Sequence, residues 1–487
     1  MRTKTVSGIM ILLIAMLMFS IQPVTRAQKT KIVIGWAHPT SGPVAPTAAV
    51  HHLYYKMIID DYNAKGGLNV PGIGMLPIEY IEYDDEYDPA KSLNLIEKLI
   101  TEDQVDLLFS PWSTAFCVGA LPLFEQYKYP VVGLTVGSNQ LSDLLQAGTY
   151  KYYFLTLGQP REDAEELVEL VTYINAEVAS PDQTIGRVGF TYRADEHGIE
   201  HAEALRDGLT AMGIEVPVFD SYVPFPPPAD WTPTITKFRD EDVDVAILCG
   251  YDEGAAFVSQ CITQDYNPKL LVVGPAMETP FLVYDVFGFT RGEMAGIAYY
   301  NGFPATTFNT PELQAWVEHH LSYTAANAGF PYLPFPASAV FYAGLECLFK
   351  AVEKYGLDRE QIRDALETET WNDTIVGTFK FRTGLSPEVE NHGTLTQWQG
   401  GDMMEVIWPL DAASADIIYP KYPWSWAAVP DVNRDGVVDI FDVVLAAKAF
   451  GSTPIDPNWN KAADVNNDAL VDIFDIVLLA TNFGKTV

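Results

Sequence analysis

Two stretches near the end of the chain carry oxygen ligands at a regular spacing. In DVNRDGVVDIFD, side-chain oxygens fall at positions 1, 3, 5, 9 and 12: Asp431, Asn433, Asp435, Asp439 and Asp442. In DVNNDALVDIFD the same positions hold Asp464, Asn466, Asp468, Asp472 and Asp475, displaced by 33 residues. Such spacing wraps one loop around one Ca2+ ion, which takes roughly six to eight hard oxygens at about 2.3–2.6 Å. Position 7 contributes a backbone carbonyl, here that of Val437 or Leu470. Gly436 supplies the sharp turn at position 6. Ala469 stands there in the second loop, where a Cβ resists the turn and predicts a weaker second calcium site. The twelfth residue is Asp in both loops, not the bidentate Glu of a standard EF-hand.

A second constellation is HGIEH, His197 to His201. On a helix the two histidines share a face and would bind zinc, with Glu200 beside them as general base. No third ligand is identifiable, and a chance match at a helix start is the favoured explanation of the pattern. No G-x-S-x-G or Walker A pattern occurs. Cys117, Cys249, Cys261 and Cys347 form no C-x-x-C pair, and both paired and free thiols stay open.

A third set is hydroxylic. Ser113 and Thr114 follow the apolar run VDLLFS and precede a helix starting near Ala115. Thr135 and Ser138 follow PVVGL in the same relation one unit later. Hydroxyls and N–H groups at a helix N-terminus suit a carboxylate, although such residues are also ordinary helix caps.

The elements that must position these groups alternate. Short apolar strands are expected at 31–36, 78–84, 105–110, 130–134, 187–192, 243–250 and 270–274. Helices are expected at 47–64, 93–102, 161–179, 198–212, 254–264, 310–328 and 337–355. Apolar runs that short, separated by helices, indicate an α/β fold of parallel sheets with helices on both faces. The alternation runs twice, first to about Tyr150 and again to about Pro275, predicting two lobes with a cleft at the strand carboxyl ends. Each acidic loop runs into an apolar helix stopped by Gly451 or Gly484, so a small all-α unit follows. In the first of these helices, Ile440, Val443, Val444, Ala447 and Phe450 are expected on one stripe.

The segment from Asp431 to Val487 resembles a dockerin domain. That resemblance implies folding on calcium and a cohesin partner, read by the residues at loop positions 10 and 11. Here these are Ile440-Phe441 and Ile473-Phe474, apolar where many dockerins carry hydroxyls.

Residues from about Lys31 to Tyr422 resemble the branched-chain amino-acid type of periplasmic solute-binding protein, with the type I fold. The resemblance rests on KIVIGWAHPTSGP, DDYNAKGGLNV, VDLLFSPWST, VGFTYRADEHGIEHAEALRDGL, VDVAILCGYDEGAAFVSQC and LLVVGPAMETP, in that order. It implies capture of a small solute and delivery to an ABC permease. Ser113, Thr114, Thr135 and Ser138 would then hold a ligand carboxylate. His197 stands where many members place an aromatic residue, and Tyr251 where a cleft tyrosine is expected. Ala276 replaces the acid that meets the ligand's ammonium, leaving Asp252 and Glu278 as substitutes. Trp36 and Trp112 are candidate lining residues. The leading expectation is an amino acid or an amide, with a peptide fragment or another small polar solute as alternatives.

Composition sets outer bounds. The 487 residues carry a formal charge of −34 and 48% apolar residues. That acidity disfavours nucleic acid and suits cations. Arg2 and Lys4, the apolar run 9–21 and Thr25-Arg26-Ala27 read as a signal peptide, with secretion to the cell surface or beyond. The expected organisation is a signal at 1–27, a solute-binding unit at 28–410, a Pro- and aromatic-rich linker at 411–430 and a dockerin-like unit at 431–487. Lobe 1 is placed at about 28–151 and 277–355, and lobe 2 at about 152–276 and 356–410. The chain is expected not to be an enzyme. Its alternatives are a surface sensor of the same fold and, further off, a zinc hydrolase using HGIEH.

Overall fold

The computed structural model describes residues 29–42, 44–134, 136–274, 277, 280, 282–300, 310–329, 331, 334, 337–389, 395–400, 404–424, 430–433, 437–453, 456, 458–465 and 470–485. The expected signal peptide lies outside them.

Lobe 1 begins with β1 (Ile32–His38), α1 (Ala45–Ala64), β2 (Leu68–Val70), β3 (Gly74–Leu76) and β4 (Ile78–Asp84). It continues through α2 (Pro89–Thr101), β5 (Leu107–Leu108), α3 (Thr114–Tyr127), β6 (Val131–Gly133), α4 (Asn139–Gln146) and β7 (Tyr153–Leu155). β1 is the central strand, parallel to β4 on one side and β5 on the other. Its side chains divide by the strand period of two. Ile32, Ile34 and Trp36 join one core, while Val33 and Ala37 meet the other. That is why the strand reads as an unbroken apolar run. Trp36 is fully buried and stacks on Tyr80 and Phe109, so it is a core residue and not a cleft wall.

Lobe 2 starts at α5 (Pro160–Tyr173), where Gln159 and Glu162 form a capping box around Pro160. Then come β8 (Arg187–Arg193), α6 (Glu196–Ala211), β9 (Glu215–Tyr222), α7 (Thr232–Asp240), β10 (Val245–Cys249), α8 (Gly254–Thr263), β11 (Leu270–Gly274), α9 (Arg291–Met294) and β12 (Ile297–Tyr300). The chain is back in the lobe 1 core with α10 (Pro311–Asn327), α11 (Ser338–Tyr355) and α12 (Arg359–Thr368). The hairpins of β13 (Trp371–Thr374), β14 (Gly377–Arg382) and β15 (Leu385–Val389) follow in the same lobe. Finally β16 (Leu395–Trp398) and β17 (Met404–Trp408) close the lobe 2 sheet, whose order is β17-β16-β12-β11-β10-β8-β9. β16 and β17 are antiparallel, and the remaining pairs are parallel.

The lobe boundaries expected from sequence need correction. β7 pairs with β6 in lobe 1, although 152–276 was assigned to lobe 2. β12 pairs with β11 in lobe 2, although 277–355 was assigned to lobe 1. α12 and β13–β15 bury Ile362, Leu366, Phe379 and Phe381 in the lobe 1 core, although 356–410 was assigned to lobe 2. Strand pairing and shared apolar surface decide membership, and neither is local in the chain.

The expected linker 411–430 is corrected in its first part. Ile418 N–H donates to Gln397 Oε1 at 2.7 Å, Lys421 N–H to the Lys269 carbonyl at 2.7 Å, and Trp424 Nε1 to the Tyr266 carbonyl at 2.9 Å. Trp424 belongs to the lobe 2 core. All four cysteines are buried free thiols. Among the described residues, no helix is long and apolar enough to cross a membrane.

The C-terminal unit comprises α13 (Ile440–Ala449) and α14 (Ile473–Asn482). Each loop pairs with the end of the opposite helix. Val438 donates its N–H to the Lys485 carbonyl and accepts at its own carbonyl from Gly484 N–H, while Val471 does the same with Ser452 and Gly451. The core is Val432, Val438, Ala446, Ala449, Ala463, Val471 and Leu479. The expected stripe is therefore wrong except at Val443, which packs inward. Ile440, Val444, Ala447 and Phe450 are exposed, because the buried carboxyl of Asp442 sets which face of α13 turns inward.

Lys421 offers a test of the packed junction. Its ammonium is buried over the Trp424 ring at 3.4 Å and donates to Asn267 Oδ1 at 2.8 Å. Burial pulls its pKa down to about 7. Above that pH the folded chain holds Lys421 neutral, while the unfolded chain keeps the proton up to about pH 10.4. This group therefore adds stability as pH rises from about 7 toward 10. Comparing melting temperatures at pH 7 and 9 for the native chain and Lys421→Met should show that part of the rise lost in the variant. An identical pH response in both would refute the buried ammonium.

Candidate functional site

The parallel strands of each lobe end at one edge, and the loops after β4 and β5 of lobe 1 meet those after β9 and β10 of lobe 2. The loop after β5 is braced from below. The Ser110 carbonyl accepts from the Tyr55 hydroxyl at 2.9 Å and lies 3.1 Å from His38 Nε2, while Ser110 Oγ lies 2.9 Å from the Tyr153 hydroxyl. Trp112 follows, buried, its Nε1 donating to His51 Nδ1 at 3.1 Å. Ser113 then adopts φ 76° and ψ 154°, a region that residues with a Cβ rarely enter. It is the N-cap of α3, yet its side chain does not cap the helix. The hydroxyl is buried with the rest of the residue, which is 4% exposed. The first-turn amides of α3 thus lack the side-chain acceptor that usually covers them, which suits a carboxylate.

The other lobe 1 hydroxyls are engaged locally. Thr114 Oγ1 donates to the Gly137 carbonyl at 3.4 Å. Ser138 caps α4, its Oγ accepting from Leu141 N–H at 3.1 Å and its own N–H donating to Gln159 Oε1 at 2.9 Å. Thr135 and Glu278 lie outside the described residues.

Lobe 2 faces this edge with aromatic rings. Tyr251 lies 6.0 Å from Trp112 between ring centroids, and His197 stacks on Tyr251 at 4.8 Å. Burial, with His201 and Arg193 nearby, holds the His197 pKa well below its ordinary value, so the ring is neutral. Asp252 is half-buried, and burial next to Glu253 raises its carboxyl. Tyr87 of lobe 1 stacks on Phe116 at 4.9 Å and meets Phe225 of lobe 2 at 5.3 Å. Tyr87, Phe225, Arg193 and Glu253 were not singled out from sequence. Arg193 carried a usable signal, a charged residue closing the buried strand RVGFTYR.

HGIEH is dispersed by its surroundings. His201 Nε2 lies 3.2 Å from Asp163 Oδ2, and its Nδ1 lies 2.8 Å from the His197 carbonyl. Burial raises the Asp163 carboxyl, an effect that His201 partly offsets. Glu200 reaches across to lobe 1, accepting from the first amides of α4 at Asn139 and Gln140. The carboxylate is spent on a helix N-terminus and is not beside the histidines as a base.

In the calcium loops, Asp442 and Asp475 are fully buried. Asp442 accepts from Asn433 N–H at 3.0 Å and Asp439 N–H at 2.7 Å, folding the loop back over its last ligand. Asp475 accepts from Asp472 N–H at 2.7 Å in the same way. Asp439 and Asp472 cap α13 and α14. Asp464 is also buried. Asp435, Asn466 and Asp468 lie outside the described residues. The described side-chain donors of the two loops, Asp431 and Asn433 included, are all oxygens, which fits calcium. Ile440, Phe441, Ile473 and Phe474 are each more than half exposed.

Comparison with known proteins identifies the family of each part of the chain. Residues 31–402 match the periplasmic binding protein family model, and residues 429–483 match the dockerin type I domain. The chain belongs to the periplasmic binding protein family and carries a dockerin type I domain. A Leu/Ile/Val-binding protein homolog 7 from Brucella abortus is 22% identical over 414 residues, covering 84% of this chain and 99% of that one. Two solved structures share the fold at 17% identity. They are the branched-chain amino-acid binding protein LivJ of Streptococcus pneumoniae in complex with isoleucine, and a Rhodopseudomonas palustris solute-binding protein in complex with benzoate. The TM-scores are 0.60 and 0.62, covering 80% of this chain and 100% and 98% of theirs. The relatives are solute-binding proteins, and dockerin domains of this type generally bind calcium.

The backbone of Ser113 can be tested separately from its hydroxyl. Ser113→Gly and Ser113→Ala both lose the hydroxyl, but only Gly accepts φ 76° freely. The Gly variant should be the more stable by about 1–3 kcal/mol in denaturant unfolding of the α/β unit. At an ordinary site the order is the reverse, and that order would refute the strained conformation.

Proposed function

We propose that this chain captures a small polar solute, an amino acid or an amide, between its two lobes for uptake through an ABC permease. It acts without catalysis, outside the cell or at its surface. The observation that carries this reading is the uncapped start of α3 in lobe 1, opposed across the lobe contact by the rings of His197 and Tyr251. A carboxylate at α3 and the body of the solute against the lobe 2 rings would draw the lobes together. A thermal-shift panel on the full chain tests it, because a solute that binds only the folded state raises the melting temperature. No shift with any amino acid, amide or organic acid at millimolar concentration would sink the reading.

The dockerin unit would tether the binding protein through a cohesin. Ile440-Phe441 and Ile473-Phe474 form the apolar contact surface. Two buried carboxylates, Asp442 and Asp475, call for cations, so each loop would hold one calcium ion. Isothermal titration of the full chain with calcium should give two sites, the weaker in the loop carrying Ala469. Asp475→Ala should abolish the weaker site, and Asp442→Ala the tighter one. One site, or equal loss of both in either variant, would overturn the assignment. Deleting 431–487 should release the protein from cells or from a cohesin scaffold. Unchanged retention would end the tethering proposal.

A further inference from the structure

Lobe 2 holds a charge cluster that the reading above leaves unused. Arg193 ends β8 and its side chain is 1% exposed. Nε donates to Asp195 Oδ2 at 2.6 Å, and Nη1 to Glu253 Oε1 at 3.1 Å and Oε2 at 3.4 Å. Glu253 Oε1 also accepts from the Tyr222 hydroxyl at 2.7 Å. Nη2 is buried and has no hydrogen-bond partner among the described residues. The space is made by glycines. A Cβ at Gly198 would lie 2.2 Å from the Arg193 carbonyl oxygen and 2.5 Å from its Cγ, and one at Gly250 would lie 2.3 Å from the Tyr222 hydroxyl.

The guanidinium lies 4.2 Å from the ring centroid of Tyr251, the residue that meets Trp112 of lobe 1. His197, 8% exposed, stacks on the same ring. Its Nε2 is likewise buried with no partner among the described residues. Two unsatisfied nitrogens of different character therefore belong to side chains packed on the Tyr251 ring. A guanidinium N–H only donates, whereas a neutral imidazole nitrogen accepts in one of its tautomers.

Their needs restrict the solute. An aliphatic side chain meets neither atom, and leaving buried polar groups unmet is what gives such sites their discrimination. An ammonium offers no acceptor to Nη2. A second carboxylate would join Asp195, Glu253 and Asp252, three acids against one arginine, and like charges so placed repel. A primary carboxamide carries an acceptor oxygen and a donor NH2 on one planar group.

We infer that lobe 2 reads a primary carboxamide, its oxygen accepting from Arg193 Nη2 and its NH2 donating to His197 Nε2. This rests on the solute-binding reading, with the carboxylate end of the solute at the start of α3. Arg193 and His197 are then the specificity-determining pair, separating asparagine from leucine of similar shape and from aspartate of similar size.

The test is isothermal titration of the full-length chain with L-asparagine, L-glutamine and succinamate against L-leucine, L-aspartate, L-glutamate and benzoate. At least one amide should bind on the order of 100-fold tighter than leucine and than its matched acid. Arg193→Lys keeps a cation between Asp195 and Glu253 but loses the spare N–H. His197→Phe keeps the stack on Tyr251 and loses Nε2. Either should bring the preference within roughly threefold in a variant that still unfolds cooperatively above the assay temperature. Tighter binding of leucine or benzoate than of every amide overturns the carboxamide assignment and leaves solute capture standing. An amide preference that survives both substitutions overturns the residue pair. Silence across the whole panel overturns the assignment together with the solute-binding reading beneath it.

Discussion

Parallel pairing is the constraint on which the rest of this molecule depends. A parallel strand must be followed by a crossover, and the crossover helix covers one face of the sheet. All such strands in a lobe therefore end at the same edge, and their following loops gather there. In lobe 1 that edge carries His38, Ser110 and Trp112. In lobe 2 it carries Arg193 and Tyr251. Chain crossings between the lobes turn these edges toward each other. No loop has to travel to reach the site, and side chains can be held by the sheets beneath them.

That economy explains how charge is tolerated at the contact. Arg193, Asp195, Glu253 and Tyr222 form one connected set, and every member but the guanidinium Nη2 is matched within lobe 2. Buried ions survive only when paired and hydrogen-bonded. Gly198 and Gly250 matter here for the room they leave, since a Cβ at either would strike the cluster. On the lobe 1 side, Ser113 bears an unfavourable backbone conformation that leaves the start of α3 uncovered. Strain thus stands on one side of the lobe contact and an unmatched donor on the other.

The C-terminal unit solves a different problem. Its halves are too short to bury a core alone, so each loop hydrogen-bonds to the end of the other helix. Ala446, Ala449 and Leu479 are inside, while Phe441 and Phe474 stay in solvent. The outward apolar residues follow from the inward carboxylates. With Asp442 and Asp475 committed to the loop interior, the neighbouring Ile-Phe pairs face outward.

The sequence by itself determined what is local. Contiguous apolar runs located β1, β8, β10 and β11, and the spacing of Asp, Asn and Gly displayed the duplicated loops. Ordered segments in both parts carried the resemblance to the two families that the comparisons bear out. Only the tertiary structure decided what is distant. The neighbours of β12 and β16 in the sheet are not encoded near them, so the lobe boundaries read from the chain were misplaced. Trp36 and Trp112 both stand close to strand ends, yet packing buries one in the core and sets the other against Tyr251. HGIEH had the spacing of a metal site until Asp163 and the start of α4 claimed His201 and Glu200. Arg193 meets its buried partner Glu253 only through the fold, 60 residues further on. Periodicity and turn chemistry act over a few residues, whereas a buried charge depends on whatever the fold brings to it.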